Sequence, residues 1–366
     1  MDTLFNHKLF EVIKGSLPSE YCNGVNIIEY RNGILYAWNC IDCTILTLNV
    51  EFQVKHSKEY PMQILRLTNP PIFEVNRLLI NKSNTYCAII GSKGVAVIRI
   101  PRRWGSEGIF EGGKLDIACK CVVLDERYFE CKSIKIVQQV RWHPASSDLI
   151  HLIVLTTENT LRLYDVQKQI LVTVWYPERA FFSSSMRESS CGRGMQTLAS
   201  LGETAIDFDF TPPVIVGNAN SNKCEVEWPM LILRGNGDVY VLTASLENKK
   251  KVKIDGPLPV YPTADDNYGM EDASSLIVLK TAPPLVVIST CSGNVYHSML
   301  LSFDENEESD ESIEIDSSQP YHSNSGLYIF ECIKLELGIS LDESAELYSS
   351  PINLLADPYN SSRYAC

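Results

Sequence analysis

One pattern recurs five times along this chain: an apolar run, a turn built on glycine or asparagine, and a second β-rich run. The five segments are residues 26–38, 85–100, 149–166, 229–242 and 284–300. Their second runs begin at the turn residues Gly33, Gly94, Asn159, Gly237 and Gly293. A single hairpin cannot bury its apolar face, whereas a ring of such units can. Because repeats about 40 to 60 residues apart are typical of propellers, the sequence predicts an all-β propeller fold.

The third segment gives the clearest blade. Residues 137–166 read as an inner strand ending on Trp142-His143-Pro144 and a hairpin closing on Leu163-Tyr164-Asp165, which is similar to a WD40 blade without its full signature. Continuous and alternating apolar runs outnumber helical spacing elsewhere, so few helices are expected. Residues 327–337 are predicted to form a further strand, and residues 8–14 an extra strand that closes the ring.

Composition excludes several classes of protein. The formal net charge of −13 disfavours general binding to nucleic acid, because the surface repels phosphate backbones at long range. No run of 18 apolar residues occurs, so the sequence predicts no membrane insertion. The amino terminus lacks the features of a signal peptide. The 12 scattered cysteines are therefore expected to be reduced thiols in the cytosol or nucleus.

Motifs that carry chemistry are missing from the sequence. No nucleophile elbow, Walker loop, zincin motif or dinucleotide fingerprint occurs. Cys40 and Cys43 form one C-x-x-C with no second pair at zinc-ligand spacing, and Asp265-Asp266 is followed by turn residues. We predict no catalytic residue, no cofactor and no metal. An enzyme is the weakest hypothesis, which a cluster of carboxylates with raised pKa, or a bound metal, in the central channel would revive.

Three connectors differ in composition from the β-rich runs. Residues 183–193 and 304–320 are predicted to be flexible loops, the second because residues 304–316 hold eight carboxylates. Residues 247–253 supply the dense basic patch of Lys249, Lys250, Lys251 and Lys253. Solvation of a loop is the simplest explanation of all three.

Residues 254–261 (IDGPLPVY) form an apolar connector interrupted by Pro257 and Pro259, and so cannot be a central strand. Leu258 and Val260 are expected on a stiff, extended and exposed segment. Rigid apolar groups lose little entropy on binding and make good anchors for another protein. The alternative is that both side chains tuck under the blade edge.

Six strings, in order along nearly the whole chain, resemble the 88-kilodalton nucleoporin family of the cytoplasmic face of the nuclear pore. They are NPPIFEVNRLLIN (69–81), PRRWGSEGIFEGGK (101–114), SLGETAIDFDF (200–210), GPLPVYPTADDNYG (256–269), SGNVYHSMLL (292–301) and LYIFECIKLEL (327–337).

The resemblance implies a seven-bladed propeller, followed by a C-terminal coiled coil, with no catalytic activity. The propeller would dock the C-terminal autoproteolytic domain of a GLFG-repeat nucleoporin through a loop in its fourth-blade region. The residues of this chain that match the loop are Ile254, Leu258, Pro259, Val260 and Tyr261. The coiled coil would join FG nucleoporins of the cytoplasmic filaments and, through them, a nuclear export receptor. Such a protein supports nuclear protein export and mRNA export.

The family pattern continues beyond what this sequence contains. Residues 1–366 are expected to form one propeller domain that stops before the last blade and before any coiled coil, which would leave an open ring. The alternative function is a propeller adaptor, such as a ubiquitin-ligase receptor, that reads peptide substrates through Arg102, Arg103, Trp104 and the lysine patch.

Overall fold

The computed structural model describes most of the chain. The described residues are 7–17, 25–56, 61–104, 108–130, 136–144, 150–177, 204–217, 224–246, 252–262, 270, 272–302, 325–335, 352–357 and 360–366. The two predicted loops at 183–193 and 304–320 lie outside these residues. So do Asp265-Asp266 and the lysines at 249–251.

The described residues form five sheets of four or five strands each. The first contains β1 (Ile28–Arg31), β2 (Ile34–Asn39), β3 (Thr44–Asn49), β4 (Gln63–Leu67) and β10 (Asp116–Cys119). The second contains β5 (Arg77–Ile80), β6 (Tyr86–Gly91), β7 (Gly94–Arg99) and β11 (Cys121–Leu124). The third contains β12 (Val137–Trp142), β13 (His151–Thr156), β14 (Thr160–Asp165) and β15 (Ile170–Trp175).

The fourth sheet contains β16 (Ala205–Phe210), β19 (Met230–Arg234), β20 (Val239–Ala244) and β21 (Val252–Asp255). The fifth contains β22 (Val260–Tyr261), β23 (Ala273–Leu279), β24 (Leu285–Thr290), β25 (Asn294–Ser302) and β26 (Ser325–Lys334). Three two-stranded ribbons pair β8 (Arg103–Trp104) with β9 (Ile109–Phe110), β17 (Val214–Gly217) with β18 (Cys224–Glu227), and β27 (Leu355–Ala356) with β28 (Tyr364–Ala365).

All five predicted hairpins pair as neighbouring strands of a sheet, and the all-β, propeller-type fold is confirmed. Four of the five turn residues have positive φ: Gly33 (79°), Asn159 (53°), Gly237 (90°) and Gly293 (92°). The second hairpin uses its glycines differently. A Cβ at Gly91 would clash with the carbonyl oxygen of Glu74, and one at Gly94 would lie 2.8 Å from the Phe73 ring. Close packing, and not turn geometry, requires glycine there. The number of blades and the open ring stay predictions.

The extra strand expected at residues 8–14 is wrong, because the segment is a helix, α1 (Lys8–Ser16). Leu9, Ile13 and Ser16 are buried at the spacing of one helical face. The His7 ring nitrogen Nδ1 accepts a hydrogen bond from the Leu9 amide at 3.1 Å and so caps the first turn. The other described helices are short: α2 (Val50–His56), α3 (Glu126–Glu130) and a 3₁₀ turn at Glu111–Gly113.

The chain divides into two compact units. Unit 1 comprises residues 1–153 and 163–172, and unit 2 comprises residues 154–162 and 173–366. In unit 1, α1 packs with the first two sheets in a core that includes Leu9, Trp38 and Ile89. In unit 2, the fourth and fifth sheets share a core that includes Leu231, Val241 and Leu276.

Two aspartates of β16 join the fourth sheet to the fifth. Asp207 Oδ2 accepts hydrogen bonds from the Ser275 hydroxyl at 2.9 Å and from the Leu276 amide at 2.8 Å. Asp209 Oδ2 accepts one from the Val278 amide at 2.9 Å. The two aspartates accept hydrogen bonds from donors of β23 that the ladder of the fifth sheet does not use. Polar bonds therefore add to the apolar core that the fourth and fifth sheets share.

Connectors also extend the outer edges of two sheets. β10, from the crossing between β7 and β11, pairs in parallel with β4 of the first sheet. β22, from the crossing between the fourth and fifth sheets, pairs in parallel with β26. A fifth strand in these positions covers main-chain groups that an edge would otherwise expose.

Candidate functional site

The connector of residues 254–261 leaves the fourth sheet at β21 and joins the edge of the fifth sheet as β22. Two main-chain hydrogen bonds at its centre fix its path. The Leu258 amide donates to the Val239 carbonyl at 2.8 Å, and the Leu327 amide donates to the Pro259 carbonyl at 2.8 Å. Gly256 passes over Tyr240, where a Cβ would lie 2.9 Å from the ring. The connector is therefore held against unit 2 along its length.

The five predicted contact residues differ in exposure. Leu258 is only 6% exposed and packs in the core shared by the fourth and fifth sheets, so the expectation that it is exposed is wrong. The reason is the close approach at Gly256, which brings the connector down onto the sheet. Val260 is half-buried against the same core, Ile254 and Tyr261 are half-buried, and Pro259 is exposed. The alternative of a tucked side chain thus holds for Leu258 and in part for Val260.

The charges beside the connector form a local pair. Lys253 Nζ lies 2.8 Å from Asp255 Oδ2, in the strand that leads into the connector. The charges of these two side chains compensate each other. What the connector presents is then an apolar, proline-stiffened edge whose partner would be recognised by shape and apolar contact.

One carboxylate in unit 1 has a raised pKa, the property that the enzyme hypothesis required of a cluster of carboxylates. Burial raises the pKa of Glu29 to about 7, against the charges of Arg31 and Arg77, which lower it. Glu29 lies on β1 and faces Tyr36 across the hairpin. Among the described residues, Glu29 is the one carboxylate whose pKa is clearly raised, so the cluster that catalysis would need is not found there.

We expect Glu29→Gln to stabilise the protein at about pH 8 by about 1–2 kcal/mol and to change little at about pH 4.5. A carboxyl whose pKa is higher in the folded protein than in the unfolded chain destabilises the fold once it ionises. The stability of the protein therefore falls as the pH rises from the unfolded pKa through the folded pKa. Glutamine mimics the protonated form and escapes that loss. The half-exposed position reduces the effect below the full linkage value. Urea unfolding at both pH values measures it, and an equal effect at both would contradict the assignment.

The described cysteines and histidines do not assemble a metal site. Cys40 and Cys43 are free thiols, and no group of three or more His, Cys, Asp or Glu side chains in the described part of the chain could hold a metal ion. His143 is buried, and its pKa falls to about 3 because burial disfavours the charged ring and His151 lies nearby. Of the helices in the described ranges, none is long and apolar enough to cross a membrane.

A second exposed feature is the ribbon of β8 and β9, which the sequence suggested only for the adaptor hypothesis. Trp104 is 51% exposed there, and Arg102 and Arg103 are exposed beside it. The Arg103 guanidinium donates to the carbonyls of Gly108 at 2.6 Å and Asn32 at 3.0 Å. The signal that could have singled it out is the glycine content of residues 105–113, since glycine lets side chains lie flat on the backbone.

Comparison with known proteins identifies the family. The family described as "Nup88: Nuclear pore component" matches residues 1–366. Over 219 residues the chain is 23% identical to the nuclear pore complex protein NUP88 of Arabidopsis thaliana, a match that covers 60% of this chain and 24% of that protein. The matched part of the chain therefore spans about a quarter of the length of that relative.

Solved structures give the fold. The chain is similar to a chain of the Chaetomium thermophilum heterotrimeric Nup82 NTD–Nup159 TAIL–Nup145N APD complex, with a TM-score of 0.64 and 10% identity, over 96% of this chain and 80% of that one. A chain of the yeast Nup82–Nup159–Nup116 nucleoporin complex matches at a TM-score of 0.45 and 12% identity, over 83% of this chain and 74% of that one. On the match over its whole length, the chain belongs to the Nup88 family of nuclear pore components.

Proposed function

We propose that this chain is a structural, non-enzymatic docking domain that holds other nucleoporins at the cytoplasmic face of the nuclear pore. Family membership supports the location at the pore. The likeness to a chain of a Nup82 NTD–Nup159 TAIL–Nup145N APD complex supports a nucleoporin as partner. The proposed partner is the C-terminal autoproteolytic domain of a GLFG-repeat nucleoporin. FG nucleoporins would join through a coiled coil outside this sequence, linking the assembly to an export receptor and to protein and mRNA export.

The observation that carries the docking proposal is the way the connector of residues 254–261 is mounted. Leu258 anchors it in the core, while Pro259 stands exposed and Ile254, Val260 and Tyr261 are half-buried beside it. A segment fixed at its centre and stiffened by two prolines loses little entropy when a partner covers it. In this arrangement Leu258 positions the contact surface, and Ile254, Pro259, Val260 and Tyr261 form it.

The test is a pair of substitutions that leave the anchor in place. We expect Pro259→Glu with Tyr261→Ala to weaken binding of the GLFG nucleoporin's C-terminal domain by at least about tenfold, because a charge enters the apolar contact. Titration calorimetry measures the affinity. Pro213→Glu, which places the same charge on another exposed proline of unit 2, is the matched control and should bind as the wild type does.

Changing Leu258 itself would confuse binding with folding, since its side chain is buried. Wild-type affinity in the double variant would overturn this contact surface. Failure of the unaltered chain to bind the domain would overturn the partner. A tagged full-length protein should mark the nuclear rim in a punctate pattern, whereas a diffuse signal would favour the adaptor alternative.

A further inference from the structure

A pair of cysteines lies at the two ends of one hairpin turn in unit 1. Cys40 and Cys43 occupy the first and last positions of the turn between β2 and β3, and Asn39 and Thr44 close the turn as the last cross-strand pair. A chain that reverses within four residues brings the Cα atoms of the first and last of them within about 7 Å of each other. Because a disulfide joins residues whose Cα atoms are about 4.4–6.8 Å apart, the turn holds these two cysteines at about the separation that a disulfide requires.

The two thiols are also close to each other. Cys43 folds back over the turn, where its Sγ donates to the Cys40 carbonyl oxygen at 3.9 Å. Burial raises the pKa of the Cys40 thiol, and the charge of Cys43 is the next largest cause of that rise. Since the interaction between two charges weakens with distance, the two sulfur atoms are near neighbours. Both thiols are free and half-buried, so a small molecule can reach them from solvent.

The fold of the turn does not explain why a cysteine occupies position 43. Cys43 has a φ of 51°, a conformation that glycine and asparagine adopt with less strain. The turn is stabilised by Asn39, whose Oδ1 accepts hydrogen bonds from the Ile41 amide at 3.0 Å and the Asp42 amide at 3.2 Å. Its Nδ2 donates to Asp42 Oδ2 at 3.0 Å. Partial packing against the core of unit 1 accounts for a small apolar side chain at Cys40, but not for a strained cysteine at position 43.

We propose that Cys40 and Cys43 are a redox modification site, which forms a reversible disulfide when the protein meets a small-molecule disulfide such as oxidised glutathione. The Cys43 thiolate attacks one sulfur of oxidised glutathione, so that a mixed disulfide forms and a glutathione thiolate leaves. Cys40 then loses its proton and attacks Cys43 Sγ, and the second glutathione thiolate leaves as the Cys40–Cys43 bond forms. Two protein thiols are oxidised, and one glutathione disulfide is reduced to two thiols that take up the two protons released.

The surroundings of Cys40 set the order of the two steps. Burial, the charge of Cys43 and the charge of Glu74 all raise the pKa of the Cys40 thiol and so keep it protonated. Cys43 is therefore the first nucleophile, because the thiolate is the attacking species. Once Cys43 carries glutathione its own charge is gone, and one cause of the raised pKa of Cys40 goes with it. Cys40 then ionises more readily beside the sulfur that it attacks.

The experiment equilibrates the full 366-residue chain in glutathione buffers of graded redox ratio, traps free thiols by alkylation and identifies the peptides by mass spectrometry. We expect a peptide in which Cys40 and Cys43 are linked, and we expect dithiothreitol to reverse the link. Cys119 and Cys121 are an internal control, because burial raises the pKa of each to about 11 and should keep both reduced. The equilibrium constant for linking should be at least about tenfold larger in the native protein than in urea, where the turn is lost.

Four variants separate the two steps. Cys40→Ser should stop at a mixed disulfide of Cys43 with glutathione, and Cys43→Ser should react at least about tenfold more slowly than the wild type. Asn39→Ala loosens the turn and should lower the equilibrium constant for linking by at least about threefold. Cys332→Ser removes an exposed cysteine of unit 2 and is the matched control, which should link Cys40 to Cys43 as the wild type does. Melting curves confirm that each variant is folded, and the cysteine variants decide the matter if Asn39→Ala unfolds.

Several results would overturn the proposal. They are the absence of the linked peptide, glutathione carried by Cys40 and Cys43 separately without a link, a link no more favourable in the native protein than in urea, and an unchanged rate in Cys43→Ser. None of them bears on the connector of residues 254–261, whose partner is tested separately.

Discussion

Replacing Asp207 with alanine is expected to lower the free energy of unfolding by about 3–5 kcal/mol, because the change strands buried donors of the fifth sheet. Asp207 is 1% exposed and accepts bonds from Ser275, from the Leu276 amide and from the Phe208 amide at 2.7 Å. Alanine can accept none of them, and at a position that is 1% exposed bulk water does not reach the donors left behind. Urea denaturation followed by circular dichroism measures the loss.

Two matched variants show whether the bonds between sheets are responsible. Asp207→Asn keeps an acceptor oxygen of the same shape and should cost less than half as much as Asp207→Ala. Asp209→Ala removes one bond to β23, from the Val278 amide, at a partly exposed position, and should cost only about 1 kcal/mol. Equal losses in Asp207→Ala and Asp209→Ala would contradict the role given to Asp207.

Acidification from about pH 6.5 to about pH 4 is expected to remove about 3 kcal/mol of stability through His143 alone. His143 is 2% exposed, and burial lowers its pKa from 6.5 to about 3. In this pH range the ring takes up a proton in the unfolded chain and stays neutral in the folded one. Stability therefore falls as pH drops below the unfolded pKa, and the loss stops only near the folded pKa.

The measurement compares how the free energy of unfolding depends on pH in the wild type and in His143→Gln. His143→Gln does not titrate, so its decline between about pH 6.5 and about pH 4 should be smaller than that of the wild type by about 3 kcal/mol. His297→Gln is the control, because burial lowers the pKa of His297 while Glu331 opposes the shift, so its slope should change much less. Identical slopes in the wild type and His143→Gln would show that His143 takes up its proton over the same pH range in the folded protein as in the unfolded chain.

The strands could be predicted because a hairpin is specified by residues that are close together in the sequence. Gly33, Asn159, Gly237 and Gly293 occupy turns whose positive φ few other residues adopt readily, and apolar runs flank them. The helix at residues 8–16 was missed for the opposite reason. Its apolar face is short, with only Leu9 and Ile13 as large buried residues, and its cap is His7, which is not among the usual capping residues.

The connector shows where a single sequence stops being informative. Pro257 and Pro259 correctly predict a stiff segment that is not a central strand, but burial depends on the distance to the sheet beneath. That distance is set by the contact of Gly256 with Tyr240, a residue of the earlier strand β20.

The parallel strand β10 ties the unfolding of two sheets together. Since it belongs to the crossing between β7 and β11 and pairs with β4, the second sheet cannot lose β7 and β11 without releasing the outer edge of the first. The first and second sheets should then behave as one cooperative block, in which the amides of β3 and β7 exchange their hydrogens through the same opening. A folding intermediate that keeps only one of these two sheets is accordingly disfavoured.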